Sequence, residues 1–225
     1  MTTRILLVRH GATVLSAEDR FAGSTDVELS DEGRRQARGL AQRLATQPLT
    51  AVYASPMKRT RETASIAAAP LKLEARIDEG LREIGHGRWE GLTRKEVEAR
   101  FGEEYGAWEE DPFTFAPEGG ESGLSVIARA LPVLRAIVVR HPGETVLVVS
   151  HKATIRLVLS SLLGIEPRGY RDRLDQAPAC LNIVDFKDPV RARLMLYNDT
   201  SHYAVDTRRA EAQLSKWWDA EKVGR

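Results

Sequence analysis

The sequence predicts an α/β fold: a three-layer α/β/α sandwich with a mostly parallel central sheet and an antiparallel edge strand. Three observations carry that prediction. Short apolar runs alternate with amphipathic helical stretches, the pattern of crossover units that place helices on both faces of a sheet. The runs Ile5-Leu6-Leu7-Val8 and Val146-Leu147-Val148-Val149 are continuously apolar, as strands covered on both faces must be. Each run leads into a histidine, His10 and His151, at the carboxyl edge where open α/β sheets bind ligands.

Taken in order, residues 4–8 form the first strand, and 11–29, with Gly11, Gly23 and Asp26 and no sustained period, form a loop. Residues 30–46 read as a helix: Ser30 is an N-cap, Asp31 and Glu32 suit the first turn, and Ala37, Leu40, Ala41 and Leu44 keep helical spacing. Ala51–Ala54 is a second strand. Pro56 fits the first turn of a helix reaching about Ala69, and Leu71 to Ile77 reads as an edge strand. Residues 80–122 are the least regular, punctuated by Gly80, Gly85, Gly87, Gly91, Gly119 and Gly120, with short helices around 93–110 and Trp89 and Trp108 to pack them down. A helix follows over 122–140, with Leu124, Ile127, Ala128, Leu131, Leu134 and Val138 on its apolar face and Pro132 expected to kink or break it. Residues 145–150 form a strand, and 153–163 a helix ended near Gly164. Leu181–Phe186 and Arg193–Tyr197 form a hairpin around Lys187-Asp188-Pro189. The tail from Asp206 is charged and helical, with Trp217-Trp218 near its end. No repeat, low-complexity tract or linker divides the chain. Residues 1–225 are therefore expected to form a single domain, with 80–122 inserted over the ligand edge.

Lys+Arg number 33 and Asp+Glu 32, so no global field recruits nucleic acid or an anionic membrane, and any preference for anions is local. The one cysteine, Cys180, fits a reducing, cytoplasmic setting, and its apolar surroundings mark it as a buried structural thiol. No apolar run is long enough to span a bilayer, and no leader pattern opens the chain. Apolar residues on the terminal hairpin allow a homodimer without requiring one.

Arg9 beside His10 supplies a planar cation suited to an oxyanion such as phosphate. The histidines lack metal-ligand spacing and neighbouring arginines repel a cation, so neither a metal nor another cofactor is expected. The remaining charged groups have simpler readings. Arg34, Arg35 and Arg38 form a solvated helix face, His141 is a helix-end residue, His86 has a surface or hydrogen-bonding role, and His202 lies near the pocket.

Leu7-Val8-Arg9-His10-Gly11-Ala12-Thr13 resembles the signature of the histidine phosphatase, or phosphoglycerate-mutase-like, superfamily. Matching segments follow in order: Phe21-Ala22-Gly23 with Asp26 and Leu29, Ser30–Gly33, Ser55–Thr60 with Thr63-Ala64, Leu81-Arg82-Glu83-Ile84 with Gly87 and Trp89-Glu90-Gly91, Ser150-His151, and Asn198–His202. The resemblance spans residues 4 to about 203. It implies that His10 is the nucleophile, that Arg9 and Arg59 keep it neutral and offset phosphoryl charge, and that His151 donates to phosphoryl oxygens. It makes Glu83 the acid that protonates the leaving alkoxide and the base that then activates water. Thr13, Gly23 and Lys152 complete the candidate phosphate- and substrate-binding set, and the strand-to-helix junction at His151 offers helix N-terminal amides to an anion.

Two departures stand out. Lys152 replaces the glycine often found after the second histidine; it points either to solvent or to a second anionic group on the substrate. Leu15-Ser16 replaces a Trp-Asn pair common in the mutases. The stretch from Ile84 to Gly123 is shorter than the mutases' insertion, more like the phosphatase branch. The expected function is hydrolysis of a small phosphorylated metabolite through a phosphohistidine on His10. The alternatives are a phosphoglycerate mutase and, from another class, a non-catalytic phosphate-binding module.

Overall fold

The computed structural model describes residues 1–14 and 20–203; the expectations for Leu15-Ser16 and for the tail from Asp206 lie outside them. Six strands form one sheet: β1 (Thr3–Arg9), β2 (Leu49–Ala54), β3 (Ala75–Ile77), β4 (Thr145–Ser150), β5 (Leu181–Phe186) and β6 (Ala192–Asp199). Their spatial order is β3-β2-β4-β1-β5-β6. The first four neighbours run parallel, and β5 and β6 close one side as an antiparallel hairpin. The helices are α1 (Asp31–Leu44), α2 (Lys58–Ala68), α3 (Arg94–Arg100), α4 (Gly102–Glu110), α5 (Gly123–Arg140), α6 (Lys152–Leu163) and the single turn α7 (Tyr170–Arg173).

Alternation along each strand explains the three layers. Ile5 and Leu7 of β1, with Val146 and Val148 of β4, pack on Ala130, Leu134 and Ile137 of α5 and Ile155 and Leu159 of α6. Leu6 and Val8, with Leu147 and Val149, turn the other way onto Leu40 and Leu44 of α1 and Ala64, Ala67 and Ala68 of α2. Every one of these residues is buried, and each fully buried aliphatic side chain contributes about 1.5–3 kcal/mol. The continuous apolar runs are therefore central strands with a helix layer on either side.

Capping follows the sequence closely. The Ser30 side chain accepts from the Gly33 amide at the start of α1, and Gly164 ends α6 in the left-handed region at φ 67°. Four expectations change. Pro56 lies before α2 rather than in its first turn: Met57 is the extended N-cap, and the Thr60 hydroxyl bonds the Ser55 and Met57 carbonyls of the entering turn. Only Ala75–Ile77 of the expected edge strand is extended, because Ala69–Leu71 closes a 3₁₀ turn and Lys72 is left-handed. In α5, Leu131, Leu134 and Val138 are buried as expected, but Leu124 and Ala128 are exposed, and Gly123, Val126, Ala130 and Ile137 complete the buried face. A Cβ on Gly123 would stand 3.0 Å from Leu157 Cδ2 and 3.1 Å from Phe113 Cδ2, so the helix enters with its glycine inward and Leu124 outward. Pro132 does not interrupt α5. Pro132 and Ala128 both face solvent, so the Ala128 carbonyl that loses its helical donor is on the wet side.

Residues 80–122 have their own core, in which Trp89, Tyr105, Trp108 and Phe21 are buried together. Among the described residues, no helix is long and apolar enough to cross a membrane.

Candidate active site

Because β1 and β4 are parallel neighbours with Arg9 opposite Ser150, the next residue of each leaves the sheet at the same point. The His10 amide continues the ladder to the Ser150 carbonyl at 3.1 Å. The two imidazoles end with centroids 5.2 Å apart and planes inclined by 64°. His10 is 6 % exposed and His151 is fully buried.

The hydrogen bonds assign the ring protons. His10 Nδ1 lies 2.8 Å from the Gly11 carbonyl, which can only accept, so Nδ1 carries the proton and Nε2 keeps its lone pair. Arg59 Nε donates to His151 Nδ1 at 3.3 Å, which places the His151 proton on Nε2, 2.8 Å from Ser55 Oγ. Burial drives both imidazole pKa values well below the ordinary value. For His10, Arg9 and then Arg59 push further in the same direction against the Gly11 bond; for His151, Arg59, His10 and Arg9 do so. Both rings are neutral at neutral pH.

The two arginines are oriented by carbonyls. Arg59, buried on α2, donates to the Thr25 carbonyl at 2.7 Å and the Gly23 carbonyl at 3.0 Å, in addition to His151. That 23–25 loop is held by Glu90, whose carboxylate accepts from the amides of Gly23, Ser24 and His86 and from the Thr25 hydroxyl. Arg9 donates to the Gln176 carbonyl at 2.6 Å, and its Nε is buried with no partner. Burial lowers both guanidinium pKa values, with Glu83 among the groups that oppose it, but arginine stays cationic.

Glu83 sits on a loop clamped from three sides. Ser150 Oγ donates to the Leu81 carbonyl, Thr154 Oγ1 to the Arg82 carbonyl, and Arg129 of α5 to the carbonyls of Gly80, Arg82 and Glu83. Arg129 is itself fixed by a two-point contact with Glu121, at 2.8 Å on each side. The Glu83 carboxylate accepts from the amides of Ile84, Ala153 and Thr154 and from the Thr154 hydroxyl. The helix N-terminal amides expected to meet an anion at His151 therefore hold Glu83 instead.

Glycines permit the close approaches. A Cβ on Gly11 would stand 2.6 Å from the Gly33 carbonyl oxygen, and one on Gly23 would stand 1.7 Å from that of Ile84. Thr13 closes the first turn by pairing with Leu29. Lys152 lies beside Asp175, Nζ to Oδ1 3.7 Å. His86 is not a surface residue: it is buried, its ring 4.8 Å from that of Phe21, and burial lowers its pKa. His202 bonds the Ala179 carbonyl. Cys180 is buried, its thiol pushed up to about 11 by burial, which keeps it inert. Among the described residues, no cluster of three or more His, Cys, Asp or Glu side chains could hold a metal ion.

Ser55, Glu90, Glu121, Arg129 and Gln176 were not singled out from the sequence. Their roles are hydrogen bonds between distant segments, for which a local pattern gives no sign. Ser55 and Glu90 stood in recognised motifs, Ser55–Thr60 and Trp89-Glu90-Gly91, but with no role assigned to either.

Sequence comparison matches residues 5–200 to the histidine phosphatase superfamily (branch 1). The chain is 37 % identical over 163 residues to phosphoserine phosphatase 1 of Hydrogenobacter thermophilus, covering 72 % of this chain and 77 % of that protein. It superposes on Bacillus stearothermophilus YhfR with a TM-score of 0.83 at 32 % identity, over 89 % of this chain and 98 % of the other. On a mycobacterial glucosyl-3-phosphoglycerate phosphatase the TM-score is 0.80 at 29 % identity, over 88 % and 99 %. The chain belongs to the histidine phosphatase superfamily and is a phosphoric monoester hydrolase.

Proposed function

We propose that the chain hydrolyses a small phosphorylated metabolite by two transfers at His10. His10 Nε2 attacks phosphorus, the P–O ester bond breaks, and Glu83 delivers a proton to the leaving alkoxide. Water then attacks the phosphohistidine, Glu83 takes its proton, the P–N bond breaks, and inorganic phosphate leaves. Arg9 and Arg59 offset charge on the equatorial oxygens, which is most of what phosphoryl transfer asks of a protein. His151 fixes Arg59 through Nδ1, and its Nε2 proton, shared with Ser55, is the donor for a phosphoryl oxygen. Gly23 and Thr13 shape the turns around the phosphate, and residues 80–122 cover the site and carry Glu83 into it.

One observation carries this reading: a neutral histidine with Nδ1 pinned to a carbonyl lies in the field of two arginines, half-buried Arg9 and buried Arg59. The named activities of the relatives, on phosphoserine and on glucosyl-3-phosphoglycerate, support a small phosphorylated metabolite as the substrate class. The buried, unpaired Cys180 suits a cytoplasmic setting. The test is phosphate release from a panel of phosphorylated metabolites with EDTA present. Turnover that His10→Ala lowers by about a thousandfold or more supports the reading. Turnover retained by His10→Ala refutes it, and isomerised phosphoglycerate without phosphate release would make the chain a mutase.

A further inference from the structure

Beside the phosphoryl site, three cations gather around one carboxylate. Lys152 and Arg156 stand four residues apart on one face of α6, and both reach the same oxygen of Asp175: Lys152 Nζ at 3.7 Å and Arg156 Nη2 at 3.0 Å. Arg9 bonds the backbone of the next residue, Gln176. This joins the cluster to the arginine that flanks His10.

The cluster holds idle donors. The Arg156 side chain is 8 % exposed, and its Nε, like that of Arg9, is buried with no partner. A buried guanidinium with an idle donor is costly unless something else completes it. The carboxylate that serves both α6 cations is the most exposed member, 56 % against 34 % for Lys152, so these contacts are weak and exchangeable. Lys152 stands directly after His151, where a shorter residue would leave the rim of the site uncharged.

We propose that Lys152 and Arg156 form a second anion subsite, which binds a carboxylate carried by the substrate a few bonds from its phosphoester and exchanges it for Asp175. The inference rests on the reading of His10 as the site of phosphoryl transfer. Asp175 shows the chemistry the subsite accepts, since a carboxylate oxygen already sits there. The preferred substrate is then a phosphorylated acid rather than a phosphorylated alcohol.

The test compares 3-phosphoglycerate with glycerol 3-phosphate, which share the phosphoester and the neighbouring hydroxyl and differ in carboxylate against hydroxymethyl. Each is measured as a competitor of p-nitrophenyl phosphate hydrolysis, so neither has to be the natural substrate. The wild-type protein is expected to bind the phosphoglycerate more tightly. Lys152→Met should lower that preference about fivefold, Lys152→Arg should keep it, and Asp175→Asn should increase it. Equal inhibition constants in the wild type, or a ratio unmoved by Lys152→Met, would overturn the subsite. His10→Ala is assayed alongside: if it still hydrolyses p-nitrophenyl phosphate, the phosphoryl-transfer reading has failed, whatever the ratio shows.

Discussion

In the proposed mechanism, His10 depends on groups that never touch its Nε2. The Gly11 carbonyl selects the tautomer, while burial and two guanidinium groups keep the ring neutral. An ordinary histidine is half-protonated near pH 6.5. In an NMR titration of the imidazole nitrogens, His10 and His151 are expected to keep a neutral pattern through pH 6.5; a midpoint at or above 6.5 for His10 would contradict the electrostatic argument. Arg59 gives a second prediction at this scale. Its three donors reach two carbonyls and an imidazole in a fixed fork, which lysine cannot reproduce. Arg59→Lys should therefore lower kcat/KM by about a hundredfold or more despite keeping the charge. The candidate residues His10, Arg9, Arg59, Glu83 and His151 end strands or stand in dense motifs, so the sequence could nominate them. Gln176 could not, because it contributes a backbone carbonyl, and any residue type has one.

At the scale of elements, the site is an assembly of loops held by charged side chains from elsewhere. Glu90 accepts four hydrogen bonds and so ties the 23–25 loop to residue 86, and that loop presents the carbonyls that aim Arg59. Glu90→Ala should lower kcat/KM by roughly tenfold or more, with the NMR signals of Gly23 to Thr25 changing alongside. Unchanged kinetics would show that the loop holds itself. The first strand, the helix start at Ser30 and the stop at Gly164 were readable because caps and apolar runs are local signals. On α5, Leu131, Leu134 and Val138 were readable from helical spacing, but the first turn was not, since Gly123 meets Leu157 and Phe113 there and Leu124 turns outward. Nor was the fate of Pro132, which depends on whether the deprived carbonyl of Ala128 faces water, a property of the packed helix and not of its sequence.

For the whole molecule, burying neutral histidines ties stability to pH. His10, His86, His151 and His202 all have folded pKa values lowered by burial. The unfolded chain therefore binds more protons than the folded one below the ordinary value of 6.5, and stability rises with pH through that range. Urea unfolding should show full stability above about pH 6.5 and a progressive loss as pH falls below it. A flat profile from pH 7 to 5 would mean that these rings are not buried neutral. Three-layer packing was legible from the strand and helix order alone, but the assembly of the site from both ends of the chain was not: Arg9 and Asp175 are brought together only when β5 pairs with β1. The central claim is that the phosphoryl group passes through His10. Rapid acid-free quenching of the enzyme with a turned-over substrate, followed by mass spectrometry, tests it most directly. The account predicts a phosphate on His10 that is labile to acid, stable to alkali and absent from His10→Ala; phosphate released in the first turnover with no such adduct, or an adduct on another residue, would contradict it.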